Sequence, residues 1–143
     1  MRSFAALVAG VWLGWLGISA ATQSEEKFKT RLAPVALDIA MQARVAGSGS
    51  ASAVLSGSKL SVNGSFEGLR SAANDAHVHQ GPVTGVRGPV VLDLTVSRAT
   101  SGTITGAFDL TPEQLENLRK GRLYIQINSE KAPEGNLWGW LLK

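Results

Sequence analysis

Short runs of alternating apolar and polar residues are the feature that most constrains the fold of this 143-residue chain. Side chains two residues apart point to the same face of a β-strand, so such alternation is typical of strands with one buried face. In one run Leu92, Leu94 and Val96 share a face. Short strands separated by regular turns predict a mainly β domain built as an antiparallel sandwich or barrel. The runs are ASAVLSG, KLSVNGSFEGL, GPVVLDLTVS and GTITGAFDL.

One short α-helix is predicted at residues 112–120. Thr111 is a favourable N-cap, Pro112 suits the first helical position, and Gln114 stands where a capping box requires it. Gly121 can adopt the left-handed conformation that ends many helices. We expect this helix to bridge two strands and to have a structural role.

The first 21 residues have the composition of a secretory signal peptide. Arg2 precedes an uncharged apolar stretch at residues 4–18, and small residues follow at positions 19 and 21. Because the stretch is close to the lower limit of about 17 residues for a membrane span, an uncleaved N-terminal anchor is the alternative. In either case the remainder is expected to be exported, to a bacterial periplasm or to the cell exterior, with no membrane span after cleavage.

A linker and then the domain are expected to follow this leader. Residues 22–34 are polar and charged and end in proline, which predicts a linker. The domain is then expected to occupy residues 35–143. Its first segment, residues 35–45, is compatible with a helix or a strand, and we interpret it as a strand.

The composition excludes several classes of function. The chain has no cysteine, which excludes thiol catalysis, thiolate metal sites and disulfides. Beyond residue 21 it carries 13 Lys and Arg against 11 Asp and Glu, and the scattered basic residues give no reason to expect nucleic acid as a partner. No serine stands in a G-x-S-x-G turn, and no acid pair suggests a buried acid and base. We therefore expect no enzymatic activity.

The end of the chain, residues 122–143, is predicted to form a strand, a turn and a final strand. Tyr124 and Gln126 share a face of the first strand, and Trp138 and Trp140 share a face of the second. If the strands pair, these four side chains could form an aromatic platform that binds a protein or a glycan. The alternative is that the rings cover the core. The glycine between the two tryptophans indicates close packing by another backbone or ring.

His77 and His79 are the two histidines of the chain, within the stretch DAHVHQGP. In a strand this spacing turns both imidazole rings to one face. Imidazole suits copper and zinc, so the pair could be half of a metal site. The alternatives are a polar strand face whose rings bond to nearby backbone, or the binding of another ligand.

Three stretches, in this order, resemble the CHRD domain, the module repeated in chordin and found alone in many exported bacterial proteins. The resemblance covers residues 45–142 and includes an A-H-x-H-x-G-P motif, a G-P-V-V strand and an L-T helix ending in glycine. It implies a β-sandwich, immunoglobulin-like or of the superoxide-dismutase barrel type, with one short helix. We interpret the chain as an exported, non-catalytic binding or structural module of this type. The stretches are GSASAVLSGSKLSVNGSFEGL, AHVHQGPVTGVRGPVVLDL and GAFDLTPEQLENLRKGRLYIQINSEKAPEGNLWGWLL.

The chain departs from the family pattern at two places that bear on a metal site. Asn128 stands where the family commonly has histidine, and Asn136 and Trp138 replace an acid and an arginine. If the family's histidines converge on a metal, the resemblance implies that Asn128 weakens the site, because an amide is a poor ligand for copper or zinc. The H-x-H pair also resembles the copper-binding strand of copper-zinc superoxide dismutases. Those enzymes need more histidines than this chain has, so we do not expect that activity.

Overall fold

The computed structural model describes residues 24–143, which fold into eight antiparallel strands and one α-helix. The predicted signal peptide lies outside these residues. Among the described residues, no helix has the length and apolar character needed to cross a bilayer. The elements are β1 Glu26–Pro34, β2 Ser48–Ser56, β3 Lys59–Glu67, β4 Ala73–Gln80, β5 Val90–Val96, β6 Gly102–Asp109, α1 Pro112–Arg119, β7 Leu123–Ser129 and β8 Ala132–Trp140.

The strands close into one barrel in the order β1-β2-β3-β6-β5-β4-β7-β8. The predictions of a mainly β, antiparallel fold with one short helix are confirmed, but the predicted sandwich is not: the structure is a closed barrel. Long ladders join most neighbours, whereas β5–β6 and β1–β8 are joined by two residue pairs each. These two short junctions close the barrel. The alternation of side chains predicts which residues of a strand face the core, but it does not predict which strands pair at the two junctions.

The interpretation of residues 22–34 as a linker is wrong over most of its length. Glu26–Pro34 is strand β1, which pairs with both β2 and β8. Two apolar side chains of this strand, Phe28 and Leu32, are buried in the core. Its remaining polar side chains give the segment the composition of a linker, so the domain begins earlier than predicted.

The strand predicted at residues 35–45 is also wrong. A 3₁₀ turn at Ala40–Ala43 occupies this segment, and the Met41 amide donates to the Asp38 carboxylate over 2.8 Å. Met41 and Val45 pack against the start of β8 in a small cluster apart from the main core. A local hydrogen bond therefore fixes a compact turn in place of an extended strand.

Helix α1 forms where the sequence predicts it. Thr111 Oγ1 accepts from the Gln114 amide, and Gln114 Oε1 accepts from the Thr111 amide, so the capping box is complete. Leu118 is fully buried, and Gly121 has a φ of +71° in the left-handed region. The helix contributes Leu118 to the barrel core, and Leu115 packs against it.

Gly139 allows β1 to close over β8. A Cβ at this position would collide with Thr30 Oγ1 and would lie 2.6 Å from the Arg31 carbonyl oxygen. The close backbone approach predicted for the glycine between Trp138 and Trp140 is therefore present. It lies beside the short β1–β8 junction, where Ala33 pairs with Trp138.

We expect Gly139→Ala to destabilise the barrel by about 1–3 kcal/mol, the range for overpacking a closely packed interior. Chemical denaturation would measure the free energy of unfolding. Thr30→Ala is the matched control, because it removes the nearest side-chain atom but leaves the Arg31 carbonyl in place. The glycine substitution should therefore remain destabilising in the Thr30→Ala background, and full recovery there would contradict a role for the backbone of β1.

Candidate functional site

The six predicted site residues come together on the outer face of β4, β7 and β8. The strand registers place them in two rows that run across these three strands. Their neighbours along the chain, such as Val78, Ile125 and Leu137, point into the core. We call this surface the His–Trp face; one row is His77, Gln126 and Trp138, and the other is His79, Tyr124 and Trp140.

The rings of this face pack around Tyr124. Its ring stacks on His79 with centroids 4.9 Å apart and on Trp138 at 5.8 Å, while Trp140 lies 4.5 Å away and is tilted by 47°. Tyr124 is 1% exposed, whereas both tryptophans are half-buried. The predicted strand pairing is thus present, but Tyr124 offers no ring surface to a large partner, whereas the two tryptophans do.

The loop at residues 81–89 covers part of the face. The guanidinium of Arg87 lies 4.0 Å from the ring centroid of Trp138 and donates to the Glu134 carbonyl oxygen over 3.2 Å. Such a contact stabilises a loop because the ring face is electron-rich. Arg87 therefore anchors the loop to β8.

Gly88 fixes the orientation of two rings beneath the loop. Its carbonyl oxygen accepts from Tyr124 Oη at 3.0 Å and lies 2.9 Å from His79 Nδ1, while its amide donates to Tyr124 Oη. Because a carbonyl oxygen can only accept, His79 Nδ1 carries the proton in the neutral ring, and Nε2 keeps its lone pair.

His77 has a similar arrangement. Its Nε2 lies 3.5 Å from Asp93 Oδ1 on β5, and Asp93 is the residue paired with it across the strands. This separation is longer than an ordinary hydrogen bond, but a carboxylate offers only acceptors, so it favours the neutral tautomer with the proton on Nε2 and the lone pair on Nδ1. The two histidine rings lie 5.9 Å apart between centroids, almost perpendicular to each other.

Buried polar atoms without a hydrogen-bond partner concentrate on this face. Within residues 24–143 five buried side-chain nitrogen or oxygen atoms lack a partner, and four belong to the His–Trp face. Burial of an unpaired polar group costs about 1–3 kcal/mol, so native structures contain few of them. Such a concentration points to a ligand or to ordered water. The four atoms are His77 Nδ1, His79 Nε2, Gln126 Oε1 and Trp138 Nε1.

Burial lowers the pKa of His79 below its ordinary value. The charges of His77 and Arg87 act in the same direction, and the hydrogen bond to Gly88 opposes them. The His79 ring is therefore predominantly neutral at neutral pH, which is the form that binds a metal ion. The described residues contain no group of three or more His, Asp, Glu or Cys side chains placed to hold a metal ion.

Comparison with known proteins identifies the domain. The CHRD domain family matches residues 32–141. The chain belongs to the CHRD family. No curated protein and no solved structure gives a match.

Two of the three residues in which this chain differs from the pattern of the family it resembles, Asn128 and Asn136, have structural roles. Asn128 Oδ1 accepts from Gln126 Nε2 over 2.6 Å. Asn136 is fully buried; its side chain accepts from the Ala46 amide and donates to Ser129 Oγ. Asn136 therefore ties the loop before β2 to the β7–β8 hairpin.

Sequence reasoning missed two residues that complete the site of this CHRD domain. Gly88 and Arg87 lie in a loop whose position over the sheet no local pattern reveals. Asp93 alternates outward on a predicted strand and is, with Asp75, one of the two further ligand candidates nearest to the histidine pair, but its pairing with His77 depends on the register. Asn128 is singled out in the sequence only as a weak replacement for a histidine, and its contact with Gln126 on one face of the strand is seen only in the structure.

We expect His79 to make the stability of the metal-free CHRD domain depend on pH. Since its pKa is lowered in the folded protein, the unfolded chain binds the proton more readily between the two pKa values. This contribution is fully present above about pH 6.5 and is lost as the pH falls through the folded pKa. Denaturation curves at about pH 7.5 and about pH 5.5 would measure it.

His79→Asn is the matched control for this measurement. The amide nitrogen of asparagine can occupy the place of Nδ1 and donate to Gly88, but it does not titrate. The variant should lose less stability than the native domain on acidification. An equal loss in both proteins would show that His79 is not the responsible group.

Proposed function

We propose that this CHRD protein is an exported, non-catalytic binding module that holds one divalent transition-metal ion, copper or zinc, at His77 and His79. The observation that carries the proposal is shared by both rings. Each histidine directs one nitrogen toward an acceptor and keeps the other nitrogen buried, with an unused lone pair. Metal-ligating histidines characteristically have this arrangement, because the acceptor fixes the ring and its tautomer.

The separation of the rings suits a single ion. A metal about 2.0–2.1 Å from a ligating nitrogen lies roughly 3.2 Å from that ring's centroid, so one ion can join rings up to roughly 6.4 Å apart. The observed 5.9 Å between His77 and His79 is within this limit. Neutral imidazole is a ligand that suits both copper and zinc.

Charge near the site acts in both directions. Arg87 on the covering loop disfavours a bound cation, and the exposed carboxylate of Asp93 beside His77 favours it. Since neither residue is a ligand in this proposal, the lone pairs of the two imidazoles supply most of the affinity. Export and the lack of catalysis rest on the apolar leader and on the absence of a nucleophile motif in the sequence.

Calorimetric titration with Cu(II) and Zn(II) tests the proposal. The protein would lack residues 1–21, because all eight strands and their core lie within residues 24–143. In this form Trp138 and Trp140 are the two tryptophans, so quenching of their fluorescence by Cu(II) reports binding at the face itself. We expect one ion per chain, with Cu(II) bound more tightly than Zn(II).

Two near-isosteric variants separate metal binding from folding. His79→Asn keeps a donor for Gly88 but removes Nε2, and His77→Gln keeps a donor near Asp93 but removes Nδ1. Each should weaken Cu(II) binding by at least about tenfold, while Glu67→Gln, on the other side of the barrel, should leave it unchanged. No Cu(II) binding by the native protein, or equal binding by all variants, would overturn the proposal.

Glycan binding by Trp138 and Trp140 is the second candidate function. The observation that favours it is that both rings remain half-buried on an outer face, next to amide and imidazole groups. Aromatic rings with one accessible side can stack on sugars. The same face could instead contact a protein, and the exposed Val83 and Val86 of the covering loop would add apolar surface to such a contact.

Fluorescence titration with chitohexaose and cellohexaose tests the glycan alternative. Binding should shift the tryptophan emission, and Trp140→Ala should abolish the shift, since this ring is not covered by Arg87. His79→Asn should bind the sugars normally, because its imidazole is buried beneath the loop. An unchanged emission with both sugars would remove this candidate and leave protein contacts as the use of the tryptophans.

A further inference from the structure

We infer that Gln126 is the third protein ligand of the metal ion, through Oε1, and that it makes the site one of neutral donors with an open coordination position. This inference rests on the proposed metal binding. Its first observation is that Gln126 Oε1 is buried and has no hydrogen-bond partner. The second is the strand register, in which Gln126 is directly opposite His77.

The orientation of the Gln126 amide is fixed by its neighbours. Its Nε2 donates to Asn128 Oδ1 over 2.6 Å and to the Glu134 carbonyl oxygen over 3.2 Å. The two N–H groups of the amide are thereby used. Rotating the amide by half a turn would place Oε1 against two oxygen acceptors, so Oε1 is held on the side away from them.

The strand geometry brings Oε1 near the unused nitrogen of His77. Directly opposite residues in an antiparallel pair have Cβ atoms about 4.5–5.5 Å apart, which is within reach of a metal shared by two long side chains. Both His77 Nδ1 and Gln126 Oε1 are buried acceptors without a donor. Two acceptors side by side cannot satisfy each other, whereas a cation satisfies both.

Gln126 gives the site a particular chemistry. Two imidazoles and an amide oxygen make three neutral ligands, and a fourth position is left for water or an external donor, as in open metal sites. Because no ligand is anionic, the affinity depends strongly on how tightly each metal binds neutral nitrogen and oxygen ligands. Among the divalent first-row ions this binding is tightest for Cu(II). Such a site favours reversible binding of Cu(II) over permanent structural use of Zn(II).

An ordered water is the competing occupant of the same space. A buried water satisfies two to four polar groups, and it could donate to Gln126 Oε1 and to one imidazole at the same time. The two occupants differ in a measurable way: a water leaves the protein without affinity for Cu(II), and replacing Gln126 then affects stability alone.

Gln126→Leu and Gln126→Glu, studied by Cu(II) calorimetry and electron paramagnetic resonance, test the inference. Leucine should weaken Cu(II) binding by about tenfold or more and alter the g and hyperfine values of the bound ion, with coupling to imidazole nitrogen retained. Glutamate, an anionic oxygen ligand at the same place, should restore binding. Asn128→Ala, which frees the Gln126 amide, should give an intermediate loss. Thermal unfolding would verify that each variant is folded.

The outcomes separate this inference from the proposal on which it rests. If the native protein binds no Cu(II), the metal-binding function fails, and an ordered water is the occupant. If the native protein binds Cu(II) and a folded Gln126→Leu binds it equally, with an unchanged resonance spectrum, then Gln126 is not a ligand and the two histidines act alone. If Gln126→Leu does not fold, the resonance spectrum of Gln126→Glu decides: an anionic oxygen bound to the ion should change the g and hyperfine values, whereas values equal to those of the native protein would show that position 126 supplies no ligand.

Discussion

Strand β7 is covered on both sides, and the organisation of the site depends on this constraint. Ile125 and Ile127 face the barrel core, while Tyr124 and Gln126 on the opposite side are 1% and 4% exposed. A barrel wall usually has a solvated outer surface, on which polar groups bond to water. Here loop 81–89 and the tryptophan rings of β8 replace that water, so the outer polar groups of β7 and of its neighbour β4 need partners within the protein.

Loop 81–89 supplies some of the hydrogen-bond partners that these buried polar groups need. One residue, Gly88, serves both the Tyr124 hydroxyl and His79 Nδ1 through its backbone amide and carbonyl groups. A side chain at this position would collide with the backbone of Gln80, so the close approach of the loop requires glycine. The same contact determines the tautomer of His79. Three of the atoms left without partners by this arrangement, His79 Nε2, His77 Nδ1 and Gln126 Oε1, are the ones that our proposals assign to a metal ion; the fourth, Trp138 Nε1, is a donor and cannot be a ligand.

The sequence is most informative where alternation is strong and least informative where contacts are distant along the chain. Alternation in β7 and β8 places Tyr124, Gln126 and the tryptophans on common faces, and the hairpin between these strands makes their pairing predictable. It also places the two histidines on one face. Alternation does not predict the register that sets His77 opposite Gln126, because β4 and β7 are separated along the chain by two strands and the helix.

The fold, like the site, is predicted correctly where local patterns decide it and incorrectly where they do not. The capping box of α1 is local and is predicted correctly, as is the close packing at Gly139. Strand β1 is missed because only Phe28 and Leu32 mark its buried face among charged residues. Alternation leaves a sandwich and a barrel both open, because closure depends on two junctions of two residue pairs each: one joins the consecutive strands β5 and β6, and the other joins β1 to β8, which are far apart along the chain. The covering loop is missed because its anchor at Arg87 is a single long side chain.

Family membership and the site answer different questions about this chain. The CHRD match accounts for residues 32–141 as one kind of domain, and it carries no ligand with it. In our proposal the ion is held by His77 and His79, which match the motif shared with the family, and by Gln126. A histidine at position 128, which the resemblance implies for the family, would bring a third imidazole to the same face, whereas Asn128 accepts from Gln126 and fixes its amide. Under the proposal, a positioned neutral oxygen therefore takes the place of a basic nitrogen, and the affinity for an ion is lower than that of a site with three imidazoles.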